Sequence, residues 1–458
     1  MDSAKQLGEG RIGPLLAKYA LPSIVGMVVG ALYNIVDRIF LGRGVGTIAL
    51  AGVTVAFALQ LVQIAFAVLI GVGASARISI SLGEQRRDKA ELVLGNGFAL
   101  NMGISVILAI ICIAFLDPIL RVCGASEEVL PYARSFSLVI LLGTPFATIS
   151  NGLNGFIRSE GNPKVAMVTQ LIGPALNVIL CPLFIFVLKM GIVGSALATV
   201  ISQGVGSIWV VAYYLSGKSL LKLKWANFIP RFDIALSIMA LGSATALSDL
   251  ASAVTSGIMN NQLERYGGDA AVTAMGIVFA ISNLVFLTLI GMNMGMQPIV
   301  GYNIGAKFYG RVRKAEFAAI AAATAFSLFC FAAVQLFPGA FVSLFAGPNS
   351  GLGDLGVYAL RHYFILLPLM GMQVLGAGFF MASGKPLKSL VLGLSRQFIF
   401  LVPLIYILPL FWKLDGVWNA QPVSDGLSFV ITGILLLREM RKLKKLEDSS
   451  PRNRQATS

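Results

Sequence analysis

Residues 14–41 read PLLAKYALPSIVGMVVGALYNIVDRIFL, an apolar stretch of helical length that contains a single carboxylate, Asp37. About 20 apolar helical residues cross the hydrocarbon core of a bilayer, roughly 30 Å, so this stretch predicts a transmembrane helix. An acid inside such a helix is costly unless it faces a polar cavity or partner. Asp37 is therefore a candidate for handling an ion or a substrate.

The composition indicates that the rest of the chain is built in the same way. Apolar residues make up 57% of the 458 residues and charged residues only 12%, unlike a soluble domain. Windows of about 20 residues predict about twelve helical spans, since the stretches are too long and too evenly apolar for membrane strands. These spans are approximately residues 14–41, 47–81, 92–116, 130–156, 165–188, 192–215, 233–260, 271–303, 315–337, 356–382, 387–411 and 417–437.

The net charge of +14 comes from basic residues that lie in the loops rather than on one face of a soluble domain. Loops facing the cytoplasm are enriched in Lys and Arg, so the pattern predicts a plasma (inner) membrane protein with both termini inside. We expect these residues to contact lipid, and we expect no nucleic-acid partner. The first apolar run is too long for a cleavable signal. The inner groups are Arg86, Arg87 and Lys89, then Lys218, Lys222 and Lys224, then Arg311, Arg313 and Lys314, and residues 438–445.

The chain lacks the sequence patterns of enzymes and metalloproteins. Its four cysteines, Cys112, Cys123, Cys181 and Cys330, have no metal-ligand spacing and predict neither a disulfide framework nor a metal site. There is no phosphate loop or nucleophile elbow, and the single histidine, His362, is expected near a membrane interface. We therefore expect no catalytic residues, no cofactor and no ATP-driven pumping.

Two stretches near the starts of the two halves indicate an internal repeat. Residues 70–89 read IGVGASARISISLGEQRRDK and residues 292–311 read MNMGMQPIVGYNIGAKFYGR. Aligned without gaps, Gly73 matches Gly295 and Gly83 matches Gly305, and each stretch ends in a basic loop. The repeat predicts two parallel six-helix lobes with a pathway at their interface, as in transporters that move one half against the other.

This repeat divides the chain into four parts. They are an N-terminal lobe at residues 1–215, a cytoplasmic inter-lobe loop at 216–231, a C-terminal lobe at 232–440, and a basic then polar tail at 441–458.

Several motifs, in their order and spacing, resemble the multidrug and toxic compound extrusion (MATE) family, most closely its MepA-like branch. The resemblance implies an all-α integral membrane fold of twelve helices in two lobes, whose central cavity opens alternately to each side. It further implies a monomer that exports small organic cations against entering protons or sodium ions. The motifs are YNIVDRIFLG at 33–42, RSEGNPKVAM at 158–167, GPALNVILCPLFIF at 173–186, NQLERYGGDAAVTAMGI at 261–277, GMQPIVGYNIGA at 295–306, ASGKP at 382–386 and NAQPVSDGLS at 419–428.

The first lobe holds the strongest candidate site. Tyr33 lies four residues before Asp37, so both share one helical face, and Asn34 belongs to the same motif. The alternative is that Asp37 is an interfacial charge beside Arg38 and Arg43.

A second helix of the first lobe carries Asn177 and Cys181, also four residues apart, just before Pro182. Many members of the family carry an aspartate where this chain has Cys181. A neutral thiol is a poor ligand for sodium, so the difference favours protons as the coupling ion, without excluding sodium. Thr199 matches a further polar position of the family pocket. Simple packing is the alternative for Cys181, and a hydrogen bond to its own helix is the alternative for Thr199.

In the second lobe, Asp249 lies inside the seventh predicted span and should therefore face a cavity or a polar partner. Candidate cavity-lining residues are Met292, Met294, Met296 and Gln297 on the eighth span and Met370, Met372 and Met381 on the tenth, because flexible thioethers suit varied apolar cations. Packing in the core is the alternative for the methionines, as it is for Asp249.

Arg396, Gln397 and Asp425 predict a polar set that ties the last helices together, because intramembrane charges need partners.

The sequence thus predicts a secondary antiporter for organic cations, driven by protons rather than sodium. A lipid-linked saccharide flippase or a dedicated metabolite exporter of the same superfamily is the alternative. We would expect more Arg and Lys within the cavity of a pyrophosphate-binding flippase, whereas here they lie mostly in loops.

Overall fold

The computed structural model describes residues 5–345 and 353–449, and within these ranges regular structure is helical, with no strand. The first lobe begins with the short α1 and contains six long helices and one further short one. The bounds are α1 Lys5–Glu9, α2 Ile12–Gly44, α3 Thr47–Gly83, α4 Arg87–Ala114, α5 Leu116–Val122, α6 Leu130–Ser159, α7 Pro163–Pro182 and α8 Gly191–Leu215. A π-helical turn, Leu183–Val187, extends α7.

The second lobe follows a connection that holds a 3₁₀ turn at Trp225–Phe228. Its helices are α9 Phe232–Gly305, α10 Tyr309–Leu336, α11 Pro338–Phe345, α12 Gly353–Tyr363, α13 Leu367–Ala382, α14 Pro386–Leu394 and α15 Leu401–Asp448. A second π-helical turn, Ser395–Phe400, joins α14 to α15.

Two of these helices are each two helices joined by a sharp break. The backbone of α9 leaves the helical region at Gly268, where φ is 65°, and that of α15 does so at Lys413, where φ is 47°. Glycine adopts a positive φ without a steric penalty, and Gly268 lies within residues 261–270, the connection expected between the spans 233–260 and 271–303. We call residues 232–267 the first arm of α9 and residues 269–305 its second arm.

The predicted helical membrane fold is confirmed. By length and composition, nine helical segments in the described residues can cross a membrane, and the bent pair α12–α13, at 48°, makes a tenth. Since α9 and the segment Pro386–Asp448 each contain two spans, the described residues provide the twelve expected. Residues 450–458 of the predicted tail lie outside the described ranges.

The two lobes meet through the glycines that the repeat aligned. A Cβ atom on Gly83 would lie 2.0 Å from the Tyr302 carbonyl oxygen, and one on Gly305 would lie 2.1 Å from the Ile80 carbonyl oxygen. Equivalent glycines of α3 and the second arm of α9 thus contact each other's helices, as a pseudo-twofold repeat requires. Small residues allow this close backbone approach.

The connection between the lobes is fastened to the first lobe by a buried carboxylate. Glu160, in the loop between α6 and α7, accepts hydrogen bonds from Ser219 Oγ at 2.7 Å and from the Leu221 amide at 3.3 Å. Burial raises the pKa of Glu160 to about 7. A second acid, Glu91 at the start of α4, forms an ion pair with Lys224 at 2.6 Å.

Candidate functional site

A group of polar side chains surrounds Asp37 inside the first lobe. The Cys181 thiol donates to Asp37 Oδ1 at 3.2 Å, and the Ser195 hydroxyl donates to the same oxygen at 3.5 Å. Both donors are fully buried. Asp37 therefore points into the lobe, where two neutral donors hold it.

Three further residues complete the group. Asn177 Nδ2 donates to Thr199 Oγ1 at 3.1 Å, and the Tyr33 phenol interacts with the Thr199 hydroxyl. Asn177 Oδ1 has no hydrogen-bond partner among the described residues, although it is buried. We call these six residues the first-lobe polar cluster: Tyr33, Asp37, Asn177, Cys181, Ser195 and Thr199.

The sequence brings these side chains together by helical spacing. Tyr33 and Asp37 on α2, Asn177 and Cys181 on α7, and Ser195 and Thr199 on α8 are each four residues apart, so each pair shares one face. Ser195 was not singled out from the sequence, although its spacing from Thr199 was available as a signal.

The neighbours of Asp37 on α2 do not join the cluster. Asn34, predicted as a site residue, instead donates its Nδ2 to the Gly30 carbonyl of its own helix at 2.8 Å. The Arg38 guanidinium lies 5.5 Å from the centre of the Phe57 ring, a cation–π contact. Among the described residues no ion pair includes Asp37. The acid is thus held by neutral donors rather than by an adjacent arginine.

Asp249 lies on the first arm of α9 in a different setting. It is exposed, and among the described residues no hydrogen bond or ion pair is found for its carboxylate. Gly242 is seven residues earlier on the same face, and a Cβ there would lie 1.7 Å from the Leu69 carbonyl oxygen of the first lobe. Asp249 therefore projects from the helical face that is directed at the other lobe.

A cavity of about 510 Å³ lies within the second lobe. Its walls combine aromatic rings with hydroxyl and amide groups, and we call it the second-lobe cavity. The residues that line it are Ser252, Thr255, Ser256, Met259, Gly276, Phe279, Ala280, Ser282, Asn283, Phe286, Tyr363, Met370, Arg396, Gln397, Leu401 and Gln421.

The predicted pairing of Arg396 with Asp425 is present at this cavity. Arg396 Nε donates to Asp425 Oδ1 at 2.7 Å, and Gln421 Nε2 donates to the same oxygen at 3.0 Å. Gln397 also lines the cavity, and its carbonyl oxygen accepts from Thr255 Oγ1 at 2.9 Å. The three residues predicted to tie the last helices together thus link them to α9.

The methionines predicted on the eighth span to line a cavity are placed differently. Met296 is fully buried next to the glycine contacts between the lobes, and it does not line the second-lobe cavity. Met292 packs against the same core, and neither Met294 nor Gln297 lines the second-lobe cavity. The thioethers in that cavity come from Met259 and Met370. The difference arises because the interface between the lobes requires close packing on this face of α9.

No group of three or more His, Cys, Asp or Glu side chains that could bind a metal ion occurs in the described part of the chain.

Comparison with known proteins gives one family. The MatE family model matches twice, over residues 22–183 and 244–407, once in each lobe. Multidrug export protein MepA of Staphylococcus haemolyticus (strain JCSC1435) is 25% identical over 412 residues, which cover 90% of each chain. MepA of Staphylococcus aureus (strain NCTC 8325 / PS 47) is 24% identical over 409 residues, or 89% of this chain and 90% of that protein.

Solved structures agree with this assignment. A multidrug resistance MATE family transporter in an outward-facing conformation superposes with a TM-score of 0.90 at 26% identity, covering 96% of this chain and 98% of that one. A transporter of the MOP superfamily from Pyrococcus furiosus, described as having a binding pocket of reverse polarity, gives 0.89 at 27% identity over the same shares. The chain, a multi-pass membrane protein, therefore belongs to the MatE family.

Proposed function

We propose that the protein is a secondary antiporter that exports small organic cations, driven by protons that enter the cell. It works as a monomer in the plasma (inner) membrane, with both termini in the cytoplasm, and needs no cofactor. The observation that carries this proposal is Asp37, an intramembrane carboxylate whose hydrogen-bond donors in the described part of the chain are the neutral Cys181 and Ser195.

An acid in this setting suits exchange of a proton for a cation. With no arginine or lysine in an ion pair, the carboxylate can be neutralised either by a proton or by an organic cation. If the two occupants exclude each other, entry of protons drives exit of the cation. Tyr33, on the same face of α2, adds an aromatic surface for the cation.

The ligands available at the cluster favour a proton over sodium. Sodium prefers hard oxygen ligands, whereas the nearer of the two side-chain hydrogen-bond partners of Asp37 is the Cys181 sulfur at 3.2 Å. A proton needs only an acceptor. The buried Asn177 Oδ1 is a further oxygen acceptor of the cluster that has no partner among the described residues.

The glycine contacts support alternating access. Where Gly83 and Gly305 approach the opposite lobe, the lobes touch through backbone atoms rather than interlocked large side chains. The lobes touch at the end that carries the basic loops, and separation there would open a pathway between them.

Export of small cations is favoured over flipping of lipid-linked saccharides. A pyrophosphate carries at least two negative charges, whereas among the described residues Arg396 is the one cation lining the second-lobe cavity, and Asp425 already pairs with it. The first-lobe polar cluster would repel an anion, because its charged member is Asp37.

The test is export of ethidium from proteoliposomes in which a proton gradient is imposed. We expect export by the wild type and at least a tenfold lower initial rate for Asp37→Asn. The matched control is Asp269→Asn, an exposed acid outside the cluster, which should export at the wild-type rate. Export by Asp37→Asn at the wild-type rate would contradict the proposal.

A further inference from the structure

The two lobes offer binding groups of opposite charge. In the first-lobe polar cluster the charged side chain is Asp37, and in the lining of the second-lobe cavity, as far as the described residues extend, it is Arg396. A site built only for organic cations would not place a guanidinium on its wall, since like charges repel.

Arg396 is fixed in place by its backbone and by one edge of its side chain. It lies in the π-helical turn Ser395–Phe400, whose geometry breaks the regular helical pairing. The Ser424 hydroxyl donates to the Arg396 carbonyl at 2.6 Å, and Nε donates to Asp425 Oδ1. Its position therefore does not depend on a ligand.

The rest of the guanidinium is available to the cavity. Nε is engaged by Asp425, whereas the other hydrogen bond of the group among the described residues is a weak one, from Nη2 to Met370 Sδ at 3.8 Å. A guanidinium has five N–H donors, so several donors remain for a ligand. The side chain of Arg396 is 13% exposed, and that of Asp425 is only 5% exposed behind it.

The surroundings of Arg396 define the other half of a ligand. Its guanidinium lies 5.6 Å from the centre of the Phe286 ring, and Phe279 and Tyr363 also line the cavity. The volume, about 510 Å³, lies within the roughly 300–1,000 Å³ usual for small-molecule sites. Aromatic walls with one anchored donor fork fit a planar ring that carries oxygen acceptors.

We propose that the second-lobe cavity binds an aromatic carboxylate, with the carboxylate on the free edge of Arg396 and the ring between Phe279, Phe286 and Tyr363. This extends the proposed export function to anionic or zwitterionic aromatic compounds, and it rests on that function for transport but not for binding. An organic cation gains nothing here, because Asp425 is shielded and already accepts from Arg396 and Gln421.

The experiment is equilibrium dialysis of three matched probes against the purified full chain in lipid nanodiscs, with empty nanodiscs as the blank. The probes are 2-naphthoate, its neutral methyl ester and 2-naphthylmethylammonium. We expect 2-naphthoate to bind most tightly, the ester more weakly, and the cation not to bind at the second-lobe cavity.

The decisive variant is the pair Arg396→Gln with Asp425→Asn, which removes both charges and avoids leaving a buried carboxylate unpaired. Hydrogen bonds to a charged group contribute about 1.5–3 kcal/mol, so the affinity for 2-naphthoate should fall about 10- to 150-fold. Arg265→Gln, an exposed arginine of the same lobe, should leave it unchanged. Arg396→Lys keeps the charge without the fork and should give an intermediate affinity.

Ethidium binding to the paired variant serves as the measure of folding and should stay within twofold of the wild type. Unchanged 2-naphthoate affinity in the paired variant, or a wild type that prefers the naphthyl cation, would overturn the proposal. Loss of ethidium binding together with loss of 2-naphthoate binding would also count against it, because the cavity would then not be a separate site. Failure of the export function would appear differently, as intact binding without ethidium export.

Discussion

Replacing Gly305 with alanine should shift the protein away from the state in which the lobes meet at their basic-loop end. In that state a Cβ on residue 305 would lie 2.1 Å from the Ile80 carbonyl oxygen and 2.9 Å from the Glu84 amide nitrogen. Ordinary van der Waals contact begins at 3.4 Å, so α3 and α9 would have to move apart by about 1.3 Å. Backbone atoms cannot rotate aside as a side chain can.

The size of the shift follows from the cost of overpacking. Extra methyl groups in close-packed sites cost about 1–3 kcal/mol, which is about 5- to 150-fold in the ratio of two states. The cost of overpacking applies only to the state in which the lobes touch. The gain in helix propensity from Gly to Ala applies to both states and therefore cancels. Gly83→Ala should act in the same direction, since its Cβ would lie 2.0 Å from the Tyr302 oxygen.

The assay is pulsed electron spin resonance between nitroxides on the exposed Asp88 and Lys314, one beside the basic-loop end of each lobe. The partly exposed Cys123 and Cys330 are replaced by serine to prevent labelling there. We expect Gly305→Ala to raise the population at longer distances by the factor given above. Gly103→Ala, whose Cβ would meet nothing within 4 Å, is the control. Identical distance distributions for the two folded variants would refute the reasoning.

Two further predictions concern Glu160 and Cys181. The pKa of Glu160 is raised from 4.5 to about 7 on folding, so the unfolded chain loses this proton at lower pH than the folded protein. The free energy of unfolding should therefore fall as the pH rises from about 4.5 to 7. The melting temperature of Glu160→Gln should lack this part of the pH dependence. Melting temperatures that change with pH in the same way for both proteins would contradict the prediction. Cys181→Asp adds a hard oxygen ligand beside Asp37, so a sodium gradient should then drive ethidium export, whereas Cys181→Ser should respond to protons alone. Equal responses of the two variants to sodium would show that the residue at 181 does not select the ion.

Much of the fold follows from local sequence, because each membrane helix must satisfy its own backbone and bury an apolar surface in lipid. The repeat that aligns Gly83 with Gly305 also pairs the two helices that approach each other between the lobes. The break at Gly268 falls within the expected connection at residues 261–270, although the apolar pattern alone does not show which of these residues turns the backbone.

The candidate site was predictable only as far as helical spacing reaches. Pairs four residues apart on one helix gave Tyr33 with Asp37 and Asn177 with Cys181. Which helices face one another depends on packing between distant parts of the chain, so Ser195 was not foreseen as a donor to Asp37. For the same reason, the buried position of Met296 was not foreseen.

Asp37 is the central residue of this account, and coupled proton movement tests its role most directly. Proteoliposomes containing a trapped pH indicator are given an outward or inward gradient of ethidium, with no imposed pH gradient and no sodium. The wild type should move protons in the direction opposite to ethidium, whereas Asp37→Asn should show none of this movement. Proton movement by Asp37→Asn that equals the wild type would contradict the claim that Asp37 couples the two fluxes.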